Sequence, residues 1–170
     1  QENPPIVVCS LGDASITEGE VAEAFQMAVL KKLPMLYFIQ DNEWDISASA
    51  DEIRVGDATH YAKGFKGLEV ITVEKGHDFI DCYEALERAI TTIRKERRPF
   101  LVHLKVPLLS HHTSGVRMEW YRDDLEEAAK KDPYPKIIEL AKSAGVKAEE
   151  IDAIEKEIKD KVDEDYEKAF

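Results

Sequence analysis

Residues 6 to 44 read IVVCSLGDASITEGEVAEAFQMAVLKKLPMLYFIQDNEW, and this stretch decides the fold. Ile6 to Leu11 is a short apolar run ending in Gly12-Asp13, which reads as a buried strand. Thr17 and Glu20 have the spacing of a capping box, with Thr17 as N-cap. Behind them Val21, Ala24, Phe25, Ala28 and Val29 repeat at helical spacing, and Pro34 ends the helix. Met35 to Ile39 is a second buried strand. A helix of about fifteen residues spans roughly 22 Å, and a strand of about six returns roughly 20 Å. The crossover therefore brings Asn42 back beside Asp13, at the carboxyl ends of two parallel strands. Open α/β sheets bind ligands at that edge.

The pattern continues outward. Residues 42 to 55 are polar and without period, and read as a loop. Asp57 to Phe65 predicts a short helix and Leu68 to Val73 a third strand. Asp78 to Arg97 is strongly amphipathic, with Phe79, Cys82, Leu86, Ala89, Ile90 and Ile93 on one face. Phe100 to Val106 is a fourth strand closed by Pro107. Strands alternating with helices predict an α/β, doubly wound, mainly parallel sheet. After Tyr121 the chain turns helical. One helix spans Pro135 to Ala144 and stops at Gly145. Another spans Ala148 to Ala169, with Ile151, Ile154, Ile158, Val162 and Tyr166 on one stripe and charge elsewhere. The expected division is an α/β domain over 1–122 with a helical extension of it over 123–170.

The chain has 170 residues, enough for one domain with a real core. Apolar residues make up 44% and the formal net charge is −12. That charge argues against nucleic acid as a partner, because phosphates would be repelled. No apolar run is long enough to cross a bilayer, and no signal peptide is evident. Cys9 in a strand and Cys82 on an apolar helix face read as free thiols, as in a reducing cytoplasm.

Asp13 and Asn42 suit Mg²⁺, which takes few protein carboxylates and fills its octahedral shell with neutral and phosphate oxygens. The following helix adds free N–H groups and a positive dipole end for an anion. Both residues are equally good turn formers, which leaves a non-catalytic docking module open. Adjacent His111 and His112 read as surface histidines by themselves. A zinc site from His103, His111 and His112 lacks an evident fourth ligand. No Walker loop, dinucleotide fingerprint or nucleophile elbow is present.

The segment from Gly12 to Ser47 resembles the thiamine-diphosphate motif of the α subunit of 2-oxo acid dehydrogenases. The matching residues are Gly12-Asp13, Glu18-Gly19, Leu33-Pro34, Asn42 and Ile46-Ser47, in register. Pro99 to His112 resembles that family's last strand and histidine loop, followed by Thr113-Ser114 and Tyr121-Arg122. The resemblance is strongest to branched-chain (2-oxoisovalerate) and pyruvate types. It implies decarboxylation of a 2-oxo acid and acyl transfer to lipoamide on a lipoyl-bearing acyltransferase. It implies Mg²⁺ held by Asp13, Asn42 and the Trp44 carbonyl, and a diphosphate lined by Gly12, Ala14, Ser15 and Gln40. It assigns His112 to the cofactor and to catalysis. It makes phosphorylation at Thr113 or Ser114 conceivable.

It further implies a β subunit or β domain that completes the site, a homo- or hetero-oligomer, and an upstream Tyr-Arg pair that grips the diphosphate. The chain is thus expected to be a fragment, inactive when isolated. A transketolase-like enzyme is the alternative within the same cofactor class, and the His111-His112 loop argues against it. Four departures stand out. Ala14 replaces a Gly, Asp41 an Asn and Glu43 a Gly, and Leu108 stands where an Arg often anchors the loop. Asp41 and Glu43 add negative charge beside an anionic cofactor unless they face solvent.

Overall fold

The computed structural model describes residues 3–113 and 115–169. Its contacts divide the chain into Gln1–Asp132 and Pro133–Phe170. The first unit is built on β1 (Val7–Gly12), β2 (Met35–Asp41), β5 (Glu69–Val73) and β6 (Phe100–Lys105), separated by β3 (Trp44–Asp45) and β4 (Ala48–Ser49). The four longer strands form one parallel sheet in the order β1-β2-β6-β5. The α/β reading therefore holds.

The crossover from β1 to β2 is α1 (Gly19–Lys31). Its Phe25 and Ala28 are fully buried. Phe25 meets Tyr37 of β2 edge-on at 4.6 Å, and the Tyr37 hydroxyl donates to the Ala24 carbonyl at 3.1 Å. Alternation along β2 splits the core between the two faces of the sheet. Tyr37 and Ile39 pack with Ile16, Phe25 and Leu101, whereas Leu36 packs with Ala85, Ala89, Ile93 and Phe100. The second set comes largely from α4 (Phe79–Glu96), which opens on Asp78 accepting the Ile80 and Asp81 N–H groups. Phe79 does not join this face. At the first position of α4 it is 48% exposed, and it stacks on Tyr83 instead. At the free edge of β1, Val7 and Val8 are both more than half exposed.

Two local expectations fail for a shared reason, the behaviour of small polar side chains. The capping box at Thr17 does not form. Residues Ser15–Thr17 make a 3₁₀ turn, and the Thr17 hydroxyl donates to the Ala14 carbonyl at 2.9 Å, so α1 starts two residues later without a side-chain cap. The stretch 42–55 is not a plain loop either. Asp41 and Asn42 accept the N–H groups of Glu43 and Trp44 at 3.0 and 2.9 Å. These bonds turn the chain, Glu43 and Ile46 take positive φ, and β3 pairs antiparallel with β4. The helix α2 (Ala50–Ile53) follows, and here a capping box does form. The Glu52 carboxylate accepts from the Ser49 N–H at 2.7 Å and from its hydroxyl at 3.0 Å. Ser49→Ala is expected to lower stability by about 1 kcal/mol in denaturant unfolding. Next comes α3 (Ala58–Ala62), capped by Asp57.

Along the chain, α5 (Leu125–Ala129) is the last helix of the first unit. The second unit holds α6 (Pro133–Ser143) and α7 (Ala148–Ala169). Gly145, at φ +93, turns the chain after α6. Tyr134 on α6 donates to Glu155 on α7. Ile151 is buried, while Ile154, Ile158, Val162 and Tyr166 are each more than half exposed.

Candidate functional site

The site is built where β1, β2 and β6 end. Gly12 pairs with Gln40 and Asp41 pairs with Lys105, so Asp13 and Asn42 emerge side by side. The Asn42 N–H points at Asp13 Oδ1 from 3.5 Å. Asp13 is 2% exposed and Asn42 half-buried. The Asn42 amide oxygen is engaged by the Trp44 N–H. Ala14 is half-buried, whereas Gly12, Ser15 and Gln40 are exposed.

Asp41 does not face solvent. It is 2% exposed and is the hub of a buried network. The guanidinium of Arg54, just past α2, reaches Asp41 Oδ1 at 2.8 Å and Asp13 Oδ2 at 3.2 Å. His103 on β6, fully buried, faces Asp41 Oδ2 through Nε2 at 2.8 Å. Its Nδ1 lies 2.9 Å from the Thr59 hydroxyl, which lies 2.6 Å from that of Thr72. Because an ionised Asp41 only accepts, Nε2 carries a proton and donates it to Asp41.

One guanidinium faces two carboxylates, and they titrate unequally. Burial and the neighbouring charge of Asp41 raise Asp13 to about 6, against the pull of Arg54. Burial also pushes Asp41 up, but hydrogen bonds from His103 and Arg54 outweigh it and hold that carboxyl well below the usual range. Glu43, by contrast, is exposed.

The second loop is held by Arg122. Its guanidinium donates to the Leu108 carbonyl at 2.9 Å, to both Asp124 oxygens at 2.8 Å, and lies 5.3 Å from the centre of the Trp44 ring. Tyr121 packs against Trp44 at 5.2 Å. The loop at Leu108 is thus anchored through its carbonyl by an arginine fourteen residues on. A cleft of about 500 Å³ opens between the two loops, lined by Asn42, Trp44, Lys105 and Arg122. His111 Nδ1 accepts the Met118 N–H at 3.1 Å, while His112 and Thr113 are exposed. Ser114 lies outside the described residues.

A model of the dehydrogenase E1 component family matches residues 1–170. This chain belongs to the dehydrogenase E1 component family. The E1 chain is 29% identical over 134 residues to 3-methyl-2-oxobutanoate dehydrogenase subunit alpha of Mycobacterium tuberculosis, covering 77% of this chain and 36% of that one. It is 26% identical over 163 residues to the pyruvate dehydrogenase E1 component subunit alpha of Rickettsia bellii, covering 91% and 48%. It therefore spans less than half the length of these curated relatives. Among solved structures it resembles a transketolase from Campylobacter jejuni, with TM-score 0.51 and 26% identity over 60% of this chain and 15% of that one.

Asp13, Asn42 and the nearby backbone carbonyls are oxygen donors of the kind Mg²⁺ takes, one carboxylate with neutral oxygens. Asp13 Oδ2 is buried and receives no hydrogen bond, only the guanidinium contact. Zinc has no comparable set. Both ring nitrogens of His103 are engaged, and no group of three or more His, Cys, Asp or Glu residues is arranged for a metal among the described residues. No helix among them is long and apolar enough to cross a membrane. Cys9 and Cys82 are free and half-buried.

Three E1 residues of the site went unforeseen in their roles. Arg54 and Arg122 lie in aperiodic polar stretches, which give no local signal. His103 did give one. A histidine inside the apolar run Phe100–Val106 must find a partner at its own level of the sheet.

Proposed function

We propose that this chain is part of the α chain of a thiamine-diphosphate-dependent 2-oxo acid dehydrogenase, and that it holds the metal–diphosphate end of the cofactor. The meeting of Asp13 and Asn42 at the carboxyl ends of β1 and β2, in a chain of this family, carries the reading. Asp13, Asn42 and the Trp44 carbonyl would hold Mg²⁺. Gly12, Ala14, Ser15 and Gln40 would line the diphosphate. Bound thiamine diphosphate supplies the electron sink for decarboxylation. His112, on the exposed loop, would contact the cofactor and exchange a proton there.

The substrate class is a 2-oxo acid, and the branched-chain acid is our choice because several relatives bear that name. Pyruvate is the runner-up on the same ground. The acyl group would pass to lipoamide on a partner acyltransferase, with a β subunit or domain completing the site. A reducing cytoplasm suits the two free thiols. The E1 reading is preferred to a transketolase-like one because the family match spans the whole chain, whereas the structural likeness spans 60%.

Calorimetric titration of the full-length protein with thiamine diphosphate tests this. Binding that requires Mg²⁺ is the expected result. Absence of binding with Mg²⁺ and the β partner present would leave only the docking-module reading. The 170-residue chain alone is expected to release no CO₂ from 2-oxoisovalerate or pyruvate.

A further inference from the structure

Arg54 occupies an unusual position for a surface-loop cation. Its side chain is 6% exposed, and its two terminal nitrogens are divided between Asp13 and Asp41. The Asp41 contact is a hydrogen bond at 2.8 Å. The Asp13 contact is charge against charge, with neither Asp13 Oδ2 nor Arg54 Nη1 making a hydrogen bond. The guanidinium is therefore fixed at one end and loosely held at the other, and the loose end covers the only charged oxygen set proposed for the metal. A divalent ion on Asp13 and a guanidinium in contact with it would repel strongly in so dry a place.

We propose that Arg54 is a built-in competitor of the divalent ion: it neutralises Asp13 in the metal-free chain and must withdraw toward Asp41 before Mg²⁺ binds. This rests on reading Asp13 and Asn42 as the metal ligands. Mg²⁺ alone, bringing no anion, has nothing with which to offset the displaced guanidinium. A metal–diphosphate pair brings its own negative charge to face Nη1. The site thus discriminates against the bare ion and admits the ion together with diphosphate.

The experiment uses full-length protein without thiamine diphosphate and follows thermal unfolding with and without Mg²⁺, together with Mn²⁺ binding by electron paramagnetic resonance. Wild type is expected to show no Mg²⁺-dependent rise in Tm and weak Mn²⁺ binding. Arg54→Met is expected to melt lower, to recover with Mg²⁺, and to bind Mn²⁺ at least tenfold more tightly than wild type. Should that variant fail to fold, Arg54→Lys keeps a cation that reaches one carboxylate only, and should bind Mn²⁺ more tightly than wild type. Equal Mn²⁺ affinity in wild type and the Arg54 variants overturns the competitor role. Adding Asp13→Ala separates the two readings. If it abolishes Mn²⁺ binding in both backgrounds, the metal site stands whatever the fate of Arg54. If Mn²⁺ binding survives it, the ligand assignment itself is wrong and the competitor falls with it.

Discussion

Asp41→Ala is expected to lower folding stability by about 3–5 kcal/mol in denaturant unfolding, the range for breaking a buried charged network from one side. The Asp41 carboxylate accepts from Arg54, His103 and the Glu43 N–H, and all three donors lose that acceptor at once. Asp41→Asn, which keeps one carbonyl oxygen and the shape, should cost roughly half as much. A loss under about 1 kcal/mol in the alanine variant would show that the network is dispensable. The pH dependence has a definite sign. Asp41 titrates in the folded chain below its unfolded value of about 3.9. Its contribution is therefore present above that value and lost on acidification, so wild type and Asp41→Asn should converge as pH falls below about 4. Asp13 works in the opposite direction. Raised to about 6 in the fold, its contribution is full below about 3.9 and lost as pH rises through 6. Asp13→Asn should therefore gain on wild type between pH 4 and 7.

Asp13→Ala in the complete enzyme is expected to cut thiamine diphosphate affinity more than about 100-fold, exceeding the usual effect of altering a metal's outer-shell partners. Stability at pH 7 should change by no more than about 1 kcal/mol. The reason is charge balance, since Arg54 and Asp41 remain as a one-to-one pair. Parallel calorimetry and unfolding measurements check both halves. Unchanged cofactor affinity would remove Asp13 from the proposed site, and a collapse of stability would recast it as a structural residue.

The sheet was legible because its signals are local and periodic. β1, α1 and β2 follow from the apolar run at Ile6, the helical spacing from Val21 to Val29, and Pro34. The adjacency of Asp13 and Asn42 then follows from element lengths alone. The charge balance of the site was not legible. Asp41 was visible as an extra carboxylate, but whether it faces water or protein depends on a cation thirteen residues on and a histidine sixty-two residues on. Nothing periodic announces either. The capping boxes show the same limit in miniature. Thr17-Glu20 and Ser49-Glu52 have the same spacing, yet only the second forms, because the Thr17 hydroxyl is drawn back to Ala14. Spacing states what can meet, and competition among nearby partners decides what does.

The division of the network along the chain bears on synthesis. A ribosome releases the N-terminus first, at about 5–20 residues per second. Asp13 and Asp41 emerge before Arg54, and His103 emerges much later. Should β1 and β2 pair as soon as both are available, two carboxylates would be pressed together on neighbouring strands with no cation between them. In that parallel β1-α1-β2 pairing the two carboxylates would repel each other. Adding α2 with Arg54 removes the repulsion, and adding β6 with His103 seals it. An early pairing of β1 and β2 would thus gain its charge balance only from residues translated later, Arg54 and then His103.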